Sequence, residues 1–136
     1  MITNSLDYIP LALRTEATLS APFMARLEHS IIGLVTETGE IADAYKKAKF
    51  YGKEIDIVNL CEEMGDLFWY LAVMIDAINK YQRGRYHPSD NVRDAGFESL
   101  MRMNIEKLRK RYPEKFSPEL ALNRDLDAER KALGGA

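Results

Sequence analysis

The sequence predicts an all-α protein. Apolar residues recur every three or four positions through most of the 136 residues, which is typical of helices that bury one face. Alternating runs of β-branched residues, which would indicate strands, are scarce. No internal repeat or low-complexity segment is present. The length fits one domain, spanning residues 1–136, that can bury its own core.

The first two predicted helices are bounded by proline and glycine. A short helix lies within residues 7–17, with Pro10 near its start. Ser20 then supplies an N-cap and Pro22 an early helical position for a second helix. This second helix ends immediately before Tyr51-Gly52, because glycine readily adopts the left-handed conformation of a helix C-terminus.

Two more helices follow in the middle of the chain. Asp56 caps a third helix that reaches about Lys80. A fourth helix covers roughly 94–111 and is stopped by Tyr112-Pro113. Turn-forming residues predict a loop between them, at Gly84, Pro88, Ser89, Asp90 and Asn91.

The C-terminal segment is charge-rich and has few large apolar residues. Ser117-Pro118-Glu119 begins its predicted helix, which ends before Gly134-Gly135. Two interpretations stay open for residues 120–133. In the first, they form a solvated tail or an arm on a partner subunit. In the second, they dock on the helices of their own chain.

Composition limits the class of protein. With 46% hydrophobic and 29% charged residues, the chain should fold around a real core. The 19 Lys and Arg against 21 Asp and Glu give a formal net charge of −2, which argues against nucleic-acid polymers as partners. Cys61 is a single cysteine, no signal peptide is visible, and the apolar stretch 67–75 is too short for a bilayer. We expect a soluble cytoplasmic protein without a membrane partner.

Two pairs of acids occur three positions apart on the second and third helices. Glu37 and Glu40 border the predicted core face of the second helix, and Glu63 and Asp66 lie on the third. The third helix is apolar nearly all round, so we expect it to be buried on more than one face. Acids there need lysines or a metal ion as counterpart. The predicted core face of the second helix consists of Leu27, Ile31, Leu34, Ile41 and Tyr45.

The donor types indicate which metal such a site would hold. Carboxylate oxygens on rigid helices favour Mg²⁺, with Mn²⁺ as a substitute, over zinc, since neither His29 nor His87 has metal-ligand spacing. A di-iron bundle would use Glu-x-x-His, where this chain has Glu40 and Asp66 as the third residues. The simplest alternative is a charged surface face. Two pairs, one of them on an apolar helix, favour the cation site.

Polar and basic residues provide a possible counterpart for phosphate. Asn104, Lys107 and Arg111 form one row on the fourth helix and can bind phosphate oxygens. An ordinary amphipathic helix with extended cations explains the row equally well. Lys47 suits the C-terminal dipole of the second helix, and it also lies on the side of Glu40, within reach of a metal-held ligand.

The motifs Glu37-Thr38-Gly39-Glu40 and Glu63-Met64-Gly65-Asp66, separated by 22 residues, resemble a known signature. It is the E-x-x-E and E-x-x-D pair of the MazG-like all-α nucleoside triphosphate pyrophosphohydrolases. The resemblance covers roughly residues 27–129, and its later part, around 104–113 and 123–125, is similar to a subgroup common in phage and bacterial genomes. It implies a four-helix-bundle core at about 21–112 and an additional C-terminal helical arm at about 117–133.

The family resemblance also implies an activity and a site. The activity is Mg²⁺-dependent cleavage of a ribo- or deoxyribonucleoside triphosphate to the monophosphate and pyrophosphate, in nucleotide-pool housekeeping. Many relatives carry a further acid where this chain has Thr36, and relatives assemble as dimers or tetramers. Glu37 or Glu40 would orient or deprotonate the attacking water. The implied metal-binding and catalytic residues are Glu37, Glu40, Glu63 and Asp66. The implied nucleotide contacts are Tyr70, Asn104, Lys107 and Arg111.

Two other functions stay open from the residues themselves. The chain could be a non-catalytic helical oligomerisation module, in which the apolar third helix forms an interface and the acids specify pairing. It could also be a di-iron carboxylate bundle. Release of pyrophosphate from a nucleotide mixture, or an iron chromophore, distinguishes these functions.

Overall fold

The computed structural model describes residues 5–87 and 94–134. Within these ranges it contains helices and turns and no strand, so the all-α prediction is confirmed. The chain divides into two compact units, Met1–Ala95 and Gly96–Ala136. The helical elements are α1 (Ser5–Ala12), a 3₁₀ turn (Leu13–Thr15), α2 (Phe23–Tyr51), α3 (Ile57–Arg85), α4 (Phe97–Arg111), α5 (Pro118–Leu122) and α6 (Leu126–Ala132).

The connection between α2 and α3 follows the predicted capping chemistry. Gly52 ends α2 with a φ of 65°, a left-handed conformation that glycine adopts without steric cost. Asp56 caps α3, its side chain accepting a 3.0 Å hydrogen bond from the backbone N–H of Asn59. Both predicted boundaries are confirmed. They bring the end of α2 and the start of α3 side by side.

Three predicted boundaries in the first unit need correction. Pro10 lies inside α1, because the helix begins at Ser5. Pro22, not Ser20, occupies the N-cap of α2, where no side chain caps the helix. The third helix continues through Gly84 to Arg85, since one glycine costs a helix only about 1 kcal/mol. The predicted loop residues 88–91 lie outside the described residues.

The second unit contains α4 to α6. α4 begins at Phe97, three residues later than predicted, and the Ser99 hydroxyl accepts a 2.9 Å hydrogen bond from the Gly96 N–H. Its predicted end at Tyr112 is confirmed. The prediction of a single C-terminal helix is wrong, because Asn123 leaves helical geometry after α5 and Asp125 caps a separate α6.

Fewer apolar residues of α2 are buried than the apolar pattern predicts. On α2 the buried residues are Arg26, Ser30 and Gly33, so small and ionic groups face α3. The predicted core face of α2 is wrong at Ile31 and Tyr45, which are 49% and 53% exposed. The buried apolar residues of the first unit are small or medium-sized: Ala12, Ala72, Val73, Ile75 and Ala77.

The expectation that α3 is buried on more than one face is confirmed for the second half of the helix. Residues 69–79 are all buried or half-buried, and both α1 and α2 pack against α3. In the first half the expectation is wrong within the described chain, because Val58 and Phe68 are 78% and 53% exposed. No described helix is long and apolar enough to cross a membrane.

A buried ionic network holds the segment after α1 against both long helices. Glu16 accepts two hydrogen bonds from Arg26, from Nε at 2.7 Å and from Nη2 at 2.6 Å. Arg26 also pairs with Asp76 of α3 at 2.8 Å, and Asp76 pairs with Lys80 at 2.9 Å. Removing one partner of such a buried group costs several kcal/mol, because it leaves a charge uncompensated.

Candidate metal and nucleotide site

Three acidic side chains converge where α2 and α3 pack together. Glu37 comes from α2, and Glu63 and Asp66 come from α3. One carboxylate oxygen of each lies within 4.8 Å of the other two. Glu63 is buried, Glu37 is half-buried and Asp66 is exposed. The cluster is therefore open to solvent on the side of Asp66 and closed on the side of Glu63.

The electrostatics of the cluster are unfavourable without a cation. The pKa of Glu37 is raised, first by burial and then by the negative charge of Glu40, with further contributions from Glu63 and Asp66. The Thr36 hydroxyl opposes this shift through a 3.3 Å hydrogen bond to Glu37 Oε1. A bound cation would offset both the burial of Glu37 and the negative charges around it.

The donor set fits a hard divalent cation. All three candidate ligands are carboxylates, and Mg²⁺ prefers oxygen ligands about 2.1 Å from the ion, hence up to about 4 Å from one another. Small side-chain movements bring these oxygens to that separation. No histidine belongs to the cluster among the described residues, so the donor set of zinc or di-iron sites is not present there.

Glu40 does not belong to the group of three convergent acids. It is exposed, one turn beyond Glu37 on α2, and it lines a neighbouring cleft of about 560 Å³. The cleft is formed by the last turns of α2, the connection to α3 and the first turns of α3, and its volume is in the range of small-molecule sites. Its polar lining includes Glu40, Asp43, Lys47, Lys53, Asn59 and Glu63.

Lys47 lies on the cleft wall, as the sequence predicts, and Asp43 holds it there. Lys46 and Lys47 both pair with the Asp43 carboxylate, at 2.5 and 2.7 Å. These two contacts lower the pKa of Asp43 to about 2. Because Lys46 does not line the cleft, only Lys47 is placed to meet a ligand inside it.

Sequence reasoning missed several polar residues of the cleft, among them Lys53 and Asn59. Lys53 follows the Gly52 turn and adds a second cation to the lining. Asn59 donates a 2.6 Å hydrogen bond from Nδ2 to Glu63 Oε1. The spacing of Asn59, four residues before Glu63 on one helix, was the available signal. No comparable signal marks Lys53, since its placement depends on the turn.

Tyr70 lies beside the acids among aromatic rings. Its ring is 4.9 Å from that of Trp69 and 5.6 Å from that of His29, both edge-on. Burial, followed by the charges of Glu37 and Asp66, raises the pKa of Tyr70. The phenol therefore stays neutral and offers an aromatic surface next to the acidic cluster, which suits the predicted nucleotide contact.

The remaining predicted contacts are in the second unit. Asn104 is exposed and Lys107 is half-buried on α4. The Arg111 guanidinium is paired with Glu129 of α6, with a 2.8 Å hydrogen bond from Nε to Oε1. Arg124 shares this carboxylate, and Arg111 and Arg124 together lower the pKa of Glu129 to about 2. Arg111 thus attaches α6 to α4 in this structure.

Comparison with known proteins identifies one family. A family model described as the MazG nucleotide pyrophosphohydrolase domain matches residues 26–116. The match spans α2, α3, α4 and the residues just beyond, and it includes all four acids of the two motifs. Among curated proteins and solved structures, none matches the chain.

Proposed function

The chain belongs to the MazG nucleotide pyrophosphohydrolase family, and on this basis we propose that it is a Mg²⁺-dependent nucleoside triphosphate pyrophosphohydrolase. It cleaves a ribo- or deoxyribonucleoside triphosphate between the α and β phosphates and releases pyrophosphate. The observation that carries the proposal is the convergence of Glu37, Glu63 and Asp66 beside a cleft whose mainly acidic lining includes Lys47 and Lys53. Mn²⁺ is the expected substitute for Mg²⁺.

The acidic residues have two roles, metal binding and water activation. Glu37, Glu63 and Asp66 hold the ion, which when bound supplies positive charge to the phosphate oxygens and acidifies a water molecule. Glu40, on the wall of the cleft, completes the predicted set. Glu37 or Glu40 accepts the proton of the attacking water, since both carboxylates lie on the α2 side of the site.

The basic residues bind the polyphosphate. Lys47 and Lys53 line the cleft and are suited to the β and γ phosphates, whose charge grows as pyrophosphate leaves. Tyr70 contacts the nucleotide through its aromatic ring. Asn104, Lys107 and Arg111 stay predictions from the family resemblance as further contacts to phosphate or sugar.

The exposed apolar surface supports a homo-oligomer. Large apolar side chains exposed on α2 and α3 include Ile31, Ile32, Val35, Val58, Met64 and Phe68. Large apolar side chains exposed on two packed helices are typical of an interaction surface. We propose that a second copy covers it, in a dimer or a tetramer of dimers. Light scattering after size exclusion tests this, with Val58→Asp as the variant expected to dissociate the assembly.

A pyrophosphate assay tests the activity directly. Purified protein, Mg²⁺ and each ribo- and deoxyribonucleoside triphosphate in turn should yield the monophosphate and pyrophosphate, and EDTA should stop the reaction. Glu63→Gln and Asp66→Asn should each lower turnover by more than about 100-fold while leaving the helical circular dichroism spectrum nearly intact. Glu62→Gln, a neighbouring exposed acid, is the matched control.

The products separate the competing functions. Release of inorganic phosphate in place of pyrophosphate would contradict cleavage between the α and β phosphates. An inert protein that still assembles would support the oligomerisation module, whose physical basis is the exposed apolar surface. Full activity of Glu63→Gln or Asp66→Asn would remove that residue from the site. A pyrophosphohydrolase of this kind fits a cytoplasmic role in nucleotide-pool housekeeping.

A further inference from the structure

We propose that Asn59 is a positioning residue for the metal ligand Glu63, an inference that rests on the proposed metal-dependent function. Asn59 belongs to neither acidic motif and carries no charge. Its side chain nevertheless donates a 2.6 Å hydrogen bond from Nδ2 to Glu63 Oε1.

The position of Asn59 is itself well defined. Its backbone N–H donates to the Asp56 carboxylate at 3.0 Å, in the cap that begins α3. Its side chain is half-buried and contributes to the wall of the cleft. The amide group therefore projects from a capped first turn of helix and does not depend on a loop for its placement.

Glu63 needs such a partner more than the other candidate ligands. It is 5% exposed, so water is largely prevented from solvating and orienting its carboxylate. A glutamate side chain has three torsions, and without an anchor it would sample orientations that point away from Glu37 and Asp66. Fixing Oε1 with a donor leaves Oε2 to face the cation.

A neutral amide suits this role better than a charged group. A lysine or arginine at residue 59 would compensate the Glu63 charge and compete with the metal for it. The amide donates a hydrogen bond while leaving the full negative charge for the ion. Partners of metal ligands act in this way in metalloproteins, where their loss typically weakens metal binding by about 10- to 100-fold.

The competing explanation is purely local. Side chains four residues apart on a helix often pair, and such pairs modestly stabilise the helix. In that case the loss of Asn59 would change helix stability without changing the affinity for metal. Direct metal binding therefore separates the two explanations, whereas activity alone would not.

The experiment measures Mn²⁺ binding by electron paramagnetic resonance, together with Mg²⁺-dependent pyrophosphate release and thermal melting. Asn59→Leu keeps the approximate size of the side chain but removes the donor, and it should weaken Mn²⁺ binding by about 10- to 100-fold. Asn59→Gln keeps a donor and should recover part of this loss. Asn59→Ala repeats the test with less added apolar surface should the leucine variant fail to fold.

A second asparagine on α3 provides the matched control. Asn79 bonds the backbone of Ala95 through both amide atoms, at 2.8 and 2.9 Å, away from the acids in sequence. Asn79→Leu should lower the melting temperature and leave Mn²⁺ affinity unchanged. Unchanged Mn²⁺ affinity in a folded Asn59→Leu or Asn59→Ala protein would overturn the inference.

The same measurements keep this inference separate from the proposed function. If the unmodified protein neither binds Mn²⁺ nor releases pyrophosphate, the function itself is wrong and the inference falls with it. If the unmodified protein does both and Glu63→Gln abolishes both, a wild-type affinity in Asn59→Leu overturns only the role of Asn59.

Discussion

The ring of Tyr70 on α3 lies directly against the backbone of Gly33 on α2. A Cβ atom built on Gly33 would be 2.1 Å from Tyr70 Cε1, well inside van der Waals contact. Gly33 is buried and precedes Glu37 by one helical turn, and Tyr70 follows Asp66 by one turn. The close approach of the two helices at this pair therefore sets the distance between the acids that they carry.

Gly33→Ala should lower both stability and activity. The added methyl group must displace the Tyr70 ring, and overpacking of this kind costs about 1–3 kcal/mol, which outweighs the gain of about 1 kcal/mol from placing alanine in a helix. Urea denaturation and pyrophosphate release measure the two effects. Gly84→Ala is the control, because nothing lies within 4 Å of its added Cβ, and it should stabilise the protein without changing turnover. A Gly33→Ala protein with wild-type stability would contradict the close contact.

Glu37 should make the metal-free protein less stable as the pH rises. Its pKa is raised in the folded state, first by burial and then by Glu40, so the folded protein binds this proton more tightly than the unfolded chain. The free energy of unfolding in EDTA should therefore fall as the pH increases from about 4.5, the ordinary glutamate value, through the raised pKa. Glu37→Gln should remove that part of the pH dependence.

The control for this measurement is Glu28→Gln, an exposed acid on the same helix. It should leave the pH dependence as it is in the unmodified protein. Mg²⁺ should reverse the trend, because the ion binds the deprotonated carboxylates, so that its stabilisation of the folded state grows as the pH rises. A pH profile that is the same in Glu37→Gln and the unmodified protein would show that Glu37 carries no such shift.

Lys47 and Lys46 should differ in their effect on substrate binding although both pair with Asp43. Of these two lysines Lys47 lines the cleft and Lys46 does not, so Lys47→Gln should raise KM by about 10-fold through the loss of a charge-assisted phosphate contact. Lys46→Gln should leave KM nearly unchanged. Steady-state kinetics on one triphosphate decides between them, and equal effects of the two variants would indicate that the lysines act only through the Asp43 ion pair.

Glu129 should stabilise the second unit at neutral pH and lose this effect in acid. Arg111 and Arg124 lower its pKa to about 2, so its contribution is complete above the unfolded value of about 4.5 and disappears as the pH falls towards 2. Urea denaturation of Glu129→Gln and the unmodified protein should show a difference at pH 7 that shrinks through this window. Glu106→Gln, exposed on α4, should show no such difference.

Local chemistry made much of the fold predictable. Gly52 ends α2 and Asp56 begins α3 as expected, because a left-handed glycine and an N-cap aspartate act within one turn of the chain. The candidate metal-binding acids were also predictable from the sequence, since a three-residue spacing on a helix places two carboxylates on one side. Glu37, Glu63 and Asp66 do come together, and the roles of all four acids stay predictions until they are tested.

Features that depend on tertiary contacts were not predictable in the same way. Arg26 is 2% exposed, although its charge suggests a surface residue, because Glu16 and Asp76 compensate it from other elements. The exposure of Ile31 and Phe68 could not be predicted either, because apolar character does not specify which neighbour covers a helix face. The Arg111–Glu129 pair joins residues that are distant in sequence, and no spacing rule for a single helix indicates it.

The network of Glu16, Arg26 and Asp76 has a consequence for any shortened form of this protein. A chain beginning at residue 17 would retain the guanidinium inside the helix pair but lose the carboxylate that binds two of its nitrogens. Asp76 would then be the remaining carboxylate of the network paired with Arg26, and water would have to enter the interior to solvate the guanidinium nitrogens that Glu16 had bound. The residues before α2 therefore help to hold together the two helices that carry the acidic site, and their removal would disturb that site.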